Sequence, residues 1–109
     1  MSKKEKRRRR SAIITERGRI QRPLEERISQ VERAIETHEK ELHELNNAMQ
    51  QASEAQDGQS IGKIAQSIHS CQSSIDRLFN ELEDLTVTLD EQTALFQERL
   101  EQLDRLLEL

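Results

Sequence analysis

Aromatic residues are almost missing from this 109-residue sequence, which contains two Phe and neither Tyr nor Trp. Glycine and proline are also scarce, at three and one, while 35% of the residues are charged and only 33% are hydrophobic. A layered globular fold needs a larger apolar core, whereas this composition is typical of long helices and coiled coils. The sequence has no apolar run of the ~18 residues that span a membrane, and no apolar stretch of a signal peptide follows its N-terminal charges. We therefore expect a cytoplasmic, all-α protein.

Apolar residues recur at alternating steps of three and four in two runs of equal length, which is the a and d spacing of a coiled coil. These positions, together called the seam, are Leu24, Ile28, Val31, Ile35, His38, Leu42, Leu45, Met49 and Ala52 in the first run, and Ile61, Ile64, Ile68, Cys71, Ile75, Leu78, Leu82, Leu85 and Leu89 in the second. A break at about residues 53–60 separates the runs and contains Asp57-Gly58, a strong turn dipeptide, with Ser60 as the expected N-cap of the next helix.

A chain that reverses at this break brings the two runs into register, with Leu42 opposite Cys71 and Leu24 opposite Leu89. Beyond Leu89 the pattern shifts by one residue, which is a stutter. The shifted positions are Thr93, Phe96, Leu100, Leu103 and Leu107. This last stretch of the second helix needs a cover, and the segment that precedes Pro23 is the candidate.

Two residues disfavour a continuous first helix, since Gly18 weakens a helix by roughly 1 kcal/mol and Pro23 opposes helical geometry at Arg22. We therefore expect a joint between Gly18 and Pro23. The predicted fold is all-α: a long antiparallel two-helix coiled-coil hairpin over residues 23–109, with residues 1–22 forming a short basic helix or linker packed near its base. We expect this chain to be a monomer.

The formal net charge of −4 conceals a strong polarity. Residues 1–22 carry ten Lys or Arg against two Glu, a net charge of +8, whereas residues 23–109 carry seven against nineteen, a net charge of −12. A basic block on an acidic body indicates a polyanionic partner for one end of the chain. No aromatic side chain is interleaved for base stacking, so contact with backbone phosphates is the expectation. The predicted nucleic-acid-binding residues are Lys3, Lys4, Lys6, Arg7, Arg8, Arg9, Arg10, Arg17, Arg19 and Arg22.

No motif in the sequence predicts catalysis, because it has no Gly-rich phosphate loop, no paired Cys/His metal spacing and no nucleophile with a neighbouring base. We therefore expect no catalytic residue, no metal site and no cofactor in this chain. His38 and His43 are five residues apart and point in different directions on a helix, so His38 is interpreted as a polar seam residue. The single Cys71 cannot form an internal disulfide and is interpreted as a small buried apolar group.

The order of these features resembles the C-terminal domain of ABC-F ATPases, which are ATP-binding proteins without membrane domains that act on ribosomes. The resemblance rests on Lys4-Glu5-Lys6-Arg7-Arg8, on Pro23-Leu24 followed by Ile28 and Glu32, and on an acidic arm with a short turn and a returning helix. It covers nearly the whole chain. It implies an appendage that follows two nucleotide-binding domains and contacts nucleic acid. The ATP and Mg²⁺ sites of such a parent protein lie outside this sequence.

We therefore expect a nucleic-acid-binding appendage that contacts the phosphate backbone of ribosomal RNA or DNA, in a protein involved in translation. The alternative is a structural coiled-coil protein that mediates dimerisation or another protein–protein interaction without nucleic acid. A basic stretch before heptads also resembles leucine-zipper transcription factors, but Gly18 and Pro23 oppose the continuous helix that these require. A solubilising tail and an anionic membrane surface are weaker interpretations of the basic segment.

Overall fold

The chain folds into two long helices, as the seam predicts. The computed structural model describes residues 1–108, with side chains up to residue 106; Leu109 and the side chain of Leu107, both in the predicted second arm, lie outside the described residues. Helix α1 (Lys3–Glu54) and helix α2 (Gly58–Glu108) are joined by residues 55–57, and the described chain contains no strand. Neither helix has an apolar stretch long enough to cross a membrane within the part described.

Each of two compact units contains a stretch of both helices. Unit 1 consists of Met1–Ile28 and Asp84–Leu109, and unit 2 consists of Ser29–Glu83. In unit 1, Gln21 contacts Thr93 and Glu16 contacts Arg99, so residue numbers fall along α2 as they rise along α1. The two helices are therefore antiparallel there, in the arrangement of a helical hairpin.

The prediction of a separate short basic helix is wrong, because α1 runs without a break from Lys3 through Gly18 and Pro23. Proline inside a helix lacks one backbone hydrogen bond and costs about 3 kcal/mol, and glycine costs about 1 kcal/mol. Packing and ion pairing between α1 and α2 in unit 1 offset these costs, so the predicted joint does not form. The basic residues nevertheless cover the end of α2, as the sequence indicates, but as part of one long helix.

A side-chain cap starts α1 despite the positive charges that follow. Ser2 Oγ accepts a hydrogen bond from the backbone N–H of Glu5 at 3.1 Å, and the Ser2 carbonyl accepts one from Lys6. Ser2 and Glu5 have the spacing of a capping box, in which a hydroxyl and an acidic residue protect the first turn. Glu5 also lies near the positive end of the helix dipole, where a carboxylate is stabilising.

The turn lies where it was predicted, but its residues have other roles than expected. Gln56, with φ of 54°, is the left-handed residue that ends α1, and the N–H groups of Gln56 and Asp57 bond back to Ser53 and Ala52. These two hydrogen bonds form a Schellman motif. The left-handed residue of this motif, here Gln56, is usually glycine. Gly58 has no positive φ and instead begins α2.

The N-cap of α2 is Asp57, which corrects the assignment of Ser60. Asp57 Oδ1 accepts the backbone N–H of Ser60 at 3.2 Å, and its Oδ2 accepts the Ser60 hydroxyl at 2.6 Å. These two hydrogen bonds from Ser60, with a weaker one from Gln59, lower the pKa of the Asp57 carboxyl. A charged oxygen at this position satisfies free N–H groups of the first turn of α2.

Every predicted seam position is buried or half-buried, which confirms the heptad interpretation. In unit 2, Val31, Ile35 and Ala52 on α1 and Cys71 on α2 are the buried members. Two packed helices leave one side of each helix in water, and most other seam residues are accordingly half-buried. The core of unit 2 is thus a row of apolar layers supplied by both helices.

In unit 1 the buried residues all come from α2. They are Phe96, Leu100 and Leu103, three of the five positions predicted beyond the stutter, whereas Thr93 is exposed. A polar layer precedes them, in which Gln21 Nε2 donates to Thr93 Oγ1 at 3.2 Å. Helix α1 contributes the half-buried Leu24 and Ile28 here, but before Pro23 its one half-buried apolar side chain is Ile13, and Lys6 and Arg17 are half-buried with it.

Candidate nucleic-acid interface

All ten predicted nucleic-acid-binding residues lie on the first part of α1, between Lys3 and Arg22, and belong to unit 1. At 1.5 Å per residue this stretch is about 30 Å long. Because the helix is continuous, its sequence spacing fixes which cations share a side. The structure divides them into cations that bond carboxylates of this chain and cations that do not.

The paired cations are Lys6, Arg9 and Arg10. Asp104 on α2 lies 4.0 Å from Lys6 Nζ and 3.6 Å from Arg10 Nη1, while Arg9 Nη2 bonds Glu5 Oε1 at 3.0 Å. Such pairs at a surface contribute about 0–1 kcal/mol each. Their greater effect is to neutralise positive charge that a polyanion would otherwise meet.

The two acidic residues of the basic segment are themselves occupied. Glu5 is bonded to Arg9, and Glu16 Oε2 accepts a hydrogen bond from Arg99 Nη2 at 2.9 Å. This hydrogen bond lowers the pKa of the Glu16 carboxyl, assisted by the positive charges of Arg99 and Arg19. Arg99 also lies 5.2 Å from the centre of the Phe96 ring, so one guanidinium joins the acidic residue to the buried core of unit 1.

Four of the remaining cations form one line along α1. Lys4, Arg8, Arg19 and Arg22, called the outer stripe, lie within about 60° of one another on the helix and opposite its seam. All four side chains are exposed, and none has a carboxylate at ion-pair distance in the described chain. Lys3 and Arg7 are exposed between the stripe and the side that faces α2, and Arg17 is half-buried towards α2. The structure thus groups four of the predicted cations in the stripe, pairs two with α2, and distributes the other four around the helix.

The surface of the outer stripe suits phosphate groups rather than bases. Its cations extend over about 27 Å of helix, a length that covers several backbone phosphates. Ile14, Thr15, Gly18 and Pro23 form a shallow groove together with Arg19 and Arg22. Since neither Phe of the sequence lies in residues 1–22, the stripe has no ring on which a base stacks.

Sequence reasoning treated the charges of the basic segment as free and missed their partner on α2. Residues 84–109 carry seven Asp or Glu against two Arg, so a basic stretch of α1 meets an acidic stretch of α2 in unit 1. This pairing could have been predicted, because the predicted register already placed the basic segment beside this part of the second helix. The acidic stretch of α2 makes the ten cations inequivalent, since some of them pair with it and others do not.

Unit 2 contains a cluster of potential metal-binding side chains that the sequence did not predict. His38, Glu41 and Cys71 lie together, with one potential metal-binding atom from each within 4.8 Å of the others. Burial and the negative charge of Glu41 raise the pKa of the Cys71 thiol. The predicted pairing of Leu42 with Cys71 contained the signal, since His38 and Glu41 flank that layer on α1.

No protein-family model, curated protein or solved structure matches this chain. The resemblance to the C-terminal domain of ABC-F ATPases therefore stays a prediction from the residues that carry it. The geometry of the two units is what supports a function for this chain.

Proposed function

We propose that this chain binds the phosphate backbone of nucleic acid through the outer stripe of α1. By its resemblance, it would act as the C-terminal appendage of a cytoplasmic ABC-F ATPase and contact ribosomal RNA, with its own nucleotide-binding domains as covalent partners. The chain itself would bind and position the parent protein without catalysing a reaction. DNA carries the same phosphate chemistry and is the alternative target.

One observation carries the proposal: two cations on the side of α1 that meets α2 are paired with an acidic residue of α2, whereas no cation of the outer stripe has a carboxylate at ion-pair distance in the described chain. Lys6 and Arg10 share Asp104. Glu16 interacts with the charge of Arg19 in the stripe but is hydrogen-bonded to Arg99. A segment that only needed to pair with α2 would need no cations on its far side. Four like charges on one exposed face repel one another, and an anion relieves that repulsion.

The expected binding mode is electrostatic and weakly selective for sequence. Each phosphate that a Lys or Arg neutralises releases counterions, so affinity falls with salt by a slope of about 0.9 per contact on duplex DNA and about 0.7 on single strands. Arginine also forms two parallel hydrogen bonds to a phosphate group. Three of the four stripe residues are arginines, which favours this geometry.

The test replaces the four stripe residues together, as Lys4→Gln, Arg8→Gln, Arg19→Gln and Arg22→Gln. Binding of a fluorescently labelled RNA hairpin and of a DNA duplex is measured by anisotropy over a range of salt concentrations. We expect the slope of log K against log salt to fall by about 3–4 units, because four phosphate contacts are lost. Circular dichroism verifies that the helices persist.

A matched control removes the same number of charges from the other cations, as Lys6→Gln, Arg9→Gln, Arg10→Gln and Arg17→Gln. The net charge of the two variants is identical, so they differ only in which side of α1 is changed. We expect the control to lose less than half as much slope. Equal losses would show that diffuse charge, rather than the stripe, binds nucleic acid, and an unchanged slope in the stripe variant would refute the proposal.

A structural protein that associates through α2 is the second candidate, favoured by four exposed apolar side chains. Phe79, Val87, Leu95 and Leu106 are each about half accessible. At 100° per residue they are spread around the helix rather than aligned, so they do not form the continuous stripe of a dimer. We therefore expect sedimentation equilibrium to give the mass of a monomer. A dimer that separates only on unfolding would support the second candidate.

A further inference from the structure

The two helices of unit 2 place three metal-binding side chains side by side. His38 and Glu41 are three residues apart on α1 and so share a side of the helix. Cys71 lies opposite them on α2, and its Sγ donates a hydrogen bond to the His38 carbonyl at 3.1 Å. One imidazole nitrogen, one carboxylate oxygen and the thiol sulfur all lie within 4.8 Å of one another.

The spacing of these atoms suits a small tetrahedral ion. With typical zinc bond lengths, a nitrogen and an oxygen ligand of one Zn²⁺ are about 3.4 Å apart, and a sulfur and a nitrogen ligand about 3.6 Å apart. His38 Nδ1 lies 3.3 Å from Glu41 Oε2, so this pair already has the required separation. The sulfur needs a shift of about 1.2 Å or less, which small changes in the side-chain torsion angles of the three residues supply.

Two of the three side chains are accessible to an ion from solvent, and the third is held in place between the helices. The Cys71 residue is 4% exposed, whereas the side chains of His38 and Glu41 are 33% and 53% exposed. The carboxylate and the imidazole therefore reach into solvent while the sulfur is held between the helices. A donor set of thiolate, imidazole and carboxylate binds Zn²⁺ in preference to Mg²⁺ or Ca²⁺.

We propose that unit 2 binds Zn²⁺ through Cys71, His38 and Glu41, with a water molecule as the fourth ligand. On binding, the Sγ–H bond of Cys71 breaks, the sulfur keeps the electron pair and donates it to the ion, and the proton passes to solvent. No oxidation or reduction takes place. The ion bonds α1 to α2 and thereby stabilises this unit, a property independent of nucleic-acid binding.

The first test uses Co²⁺ as a spectroscopic substitute for Zn²⁺ on the full chain after treatment with a chelator. We expect a thiolate-to-cobalt charge-transfer band that saturates at one Co²⁺ per chain and disappears when Zn²⁺ is added. A saturating Co²⁺ titration without this band would overturn the site. A band that grows only as two chains associate would also overturn it, because it would assign the thiolate to an intermolecular site.

Variants then test each ligand. Cys71→Ser, His38→Gln and Glu41→Gln are each expected to weaken Zn²⁺ binding by more than about 100-fold, since loss of a direct ligand exceeds the 10–100-fold effect of its supporting groups. His43→Gln is the matched control, because its imidazole is exposed on the same helix and outside the cluster. Equal affinities in the His38→Gln variant and the control would contradict the assignment.

A third measurement needs no substitution and so remains valid if a variant fails to fold. The Cys71 thiol of the wild-type chain is treated with iodoacetamide at rising Zn²⁺, and thermal unfolding is followed in parallel. We expect Zn²⁺ to slow alkylation at least tenfold and to raise Tm by about 10 °C at a hundredfold excess over its Kd. Unchanged alkylation and Tm would refute the proposal.

Discussion

The two units are built from the same two helices, yet different forces hold them together. In unit 2 both helices contribute apolar layers, and Val31, Ile35 and Cys71 are buried between them. In unit 1 the buried row of Phe96, Leu100 and Leu103 comes from α2 alone, and the part of α1 before Pro23 is mainly polar and charged. Ion pairs and a polar layer connect the helices of unit 1, whereas a thiol–carbonyl hydrogen bond connects those of unit 2.

This difference shows how a helix can serve two surfaces at once. A stretch of α1 with an apolar seam would pack against α2 more strongly but carry fewer cations. Before Pro23, α1 instead carries basic side chains, two of which pair with Asp104 of α2. The same composition leaves the outer stripe exposed, so the unit whose buried residues come from one helix carries the proposed function.

The largest expected change in the free energy of unfolding comes from a substitution in the core of unit 1. Phe96 is 2% exposed, and replacing it with alanine is expected to lower the free energy of unfolding by about 3–4 kcal/mol, through lost burial and the cavity that remains. Phe79 is the matched control, since its ring is 49% exposed in unit 2 and Phe79→Ala is expected to cost less than about 1 kcal/mol. Urea unfolding followed by circular dichroism measures both.

Hydrogen exchange sharpens this result, because it reports each unit separately. We expect Phe96→Ala to speed amide exchange mainly within unit 1. Similar losses of stability in Phe96→Ala and Phe79→Ala would mean that the burial of Phe96 does not hold unit 1 together.

The next effect concerns the cost of continuing α1 through Pro23. Since the helix is unbroken there, Pro23→Ala restores a backbone hydrogen bond and is expected to stabilise the protein by about 2–3 kcal/mol. Gly62→Ala in unit 2 is the comparison, with an expected gain of about 1 kcal/mol, because the new methyl group meets open space. Thermal unfolding measures both changes. No gain from Pro23→Ala would restore the predicted joint between Gly18 and Pro23.

The heptad seam was predictable because it depends on spacing alone, and each apolar step of three or four residues corresponds to a buried or half-buried position. The continuity of α1 was not predictable from the sequence. The penalties of Gly18 and Pro23 are local, whereas the interactions that outweigh them join α1 to α2. The start of α1 at Ser2 was readable from its spacing to Glu5. The left-handed Gln56 was not, because such a conformation usually belongs to glycine.

The candidate sites also have features that the sequence predicts and features that it does not. The basic segment was recognisable from composition, but the difference between the outer stripe and the paired cations depends on where Asp104 lies. The cluster in unit 2 required both the register, which the sequence supplied, and the side-chain rotamers of His38 and Glu41, which it did not. Pairing across helices therefore sets the limit of what the sequence predicts here.

The smallest expected effect is a difference between the units in acid. In unit 1, the hydrogen bond from Arg99 lowers the pKa of Glu16 from its ordinary value of 4.5. In unit 2, the hydrogen bonds from Ser60 lower the pKa of Asp57 from its ordinary value of 3.8. A carboxyl with a lowered pKa stabilises the fold above its ordinary pKa, and this contribution is lost as the pH falls through the lower, folded value. Tm should therefore decline below about pH 4.5 as Glu16 is protonated, and further below about pH 3.8 as Asp57 follows.

Two substitutions separate these contributions. Asp57→Asn retains an N-cap oxygen for α2, so we expect Tm to change little at pH 7 and its decline below about pH 3.8 to become shallower. Glu16→Gln loses the charge that faces Arg99, so Tm should fall by a few degrees at pH 7, and less at high salt, where ion pairs are screened. Measuring Tm from pH 7 to pH 3 at two salt concentrations tests both. Equal salt dependence of the wild type and the Glu16→Gln variant would mean that the ion pair with Arg99 does not hold unit 1 together, and that the apolar row of α2 suffices.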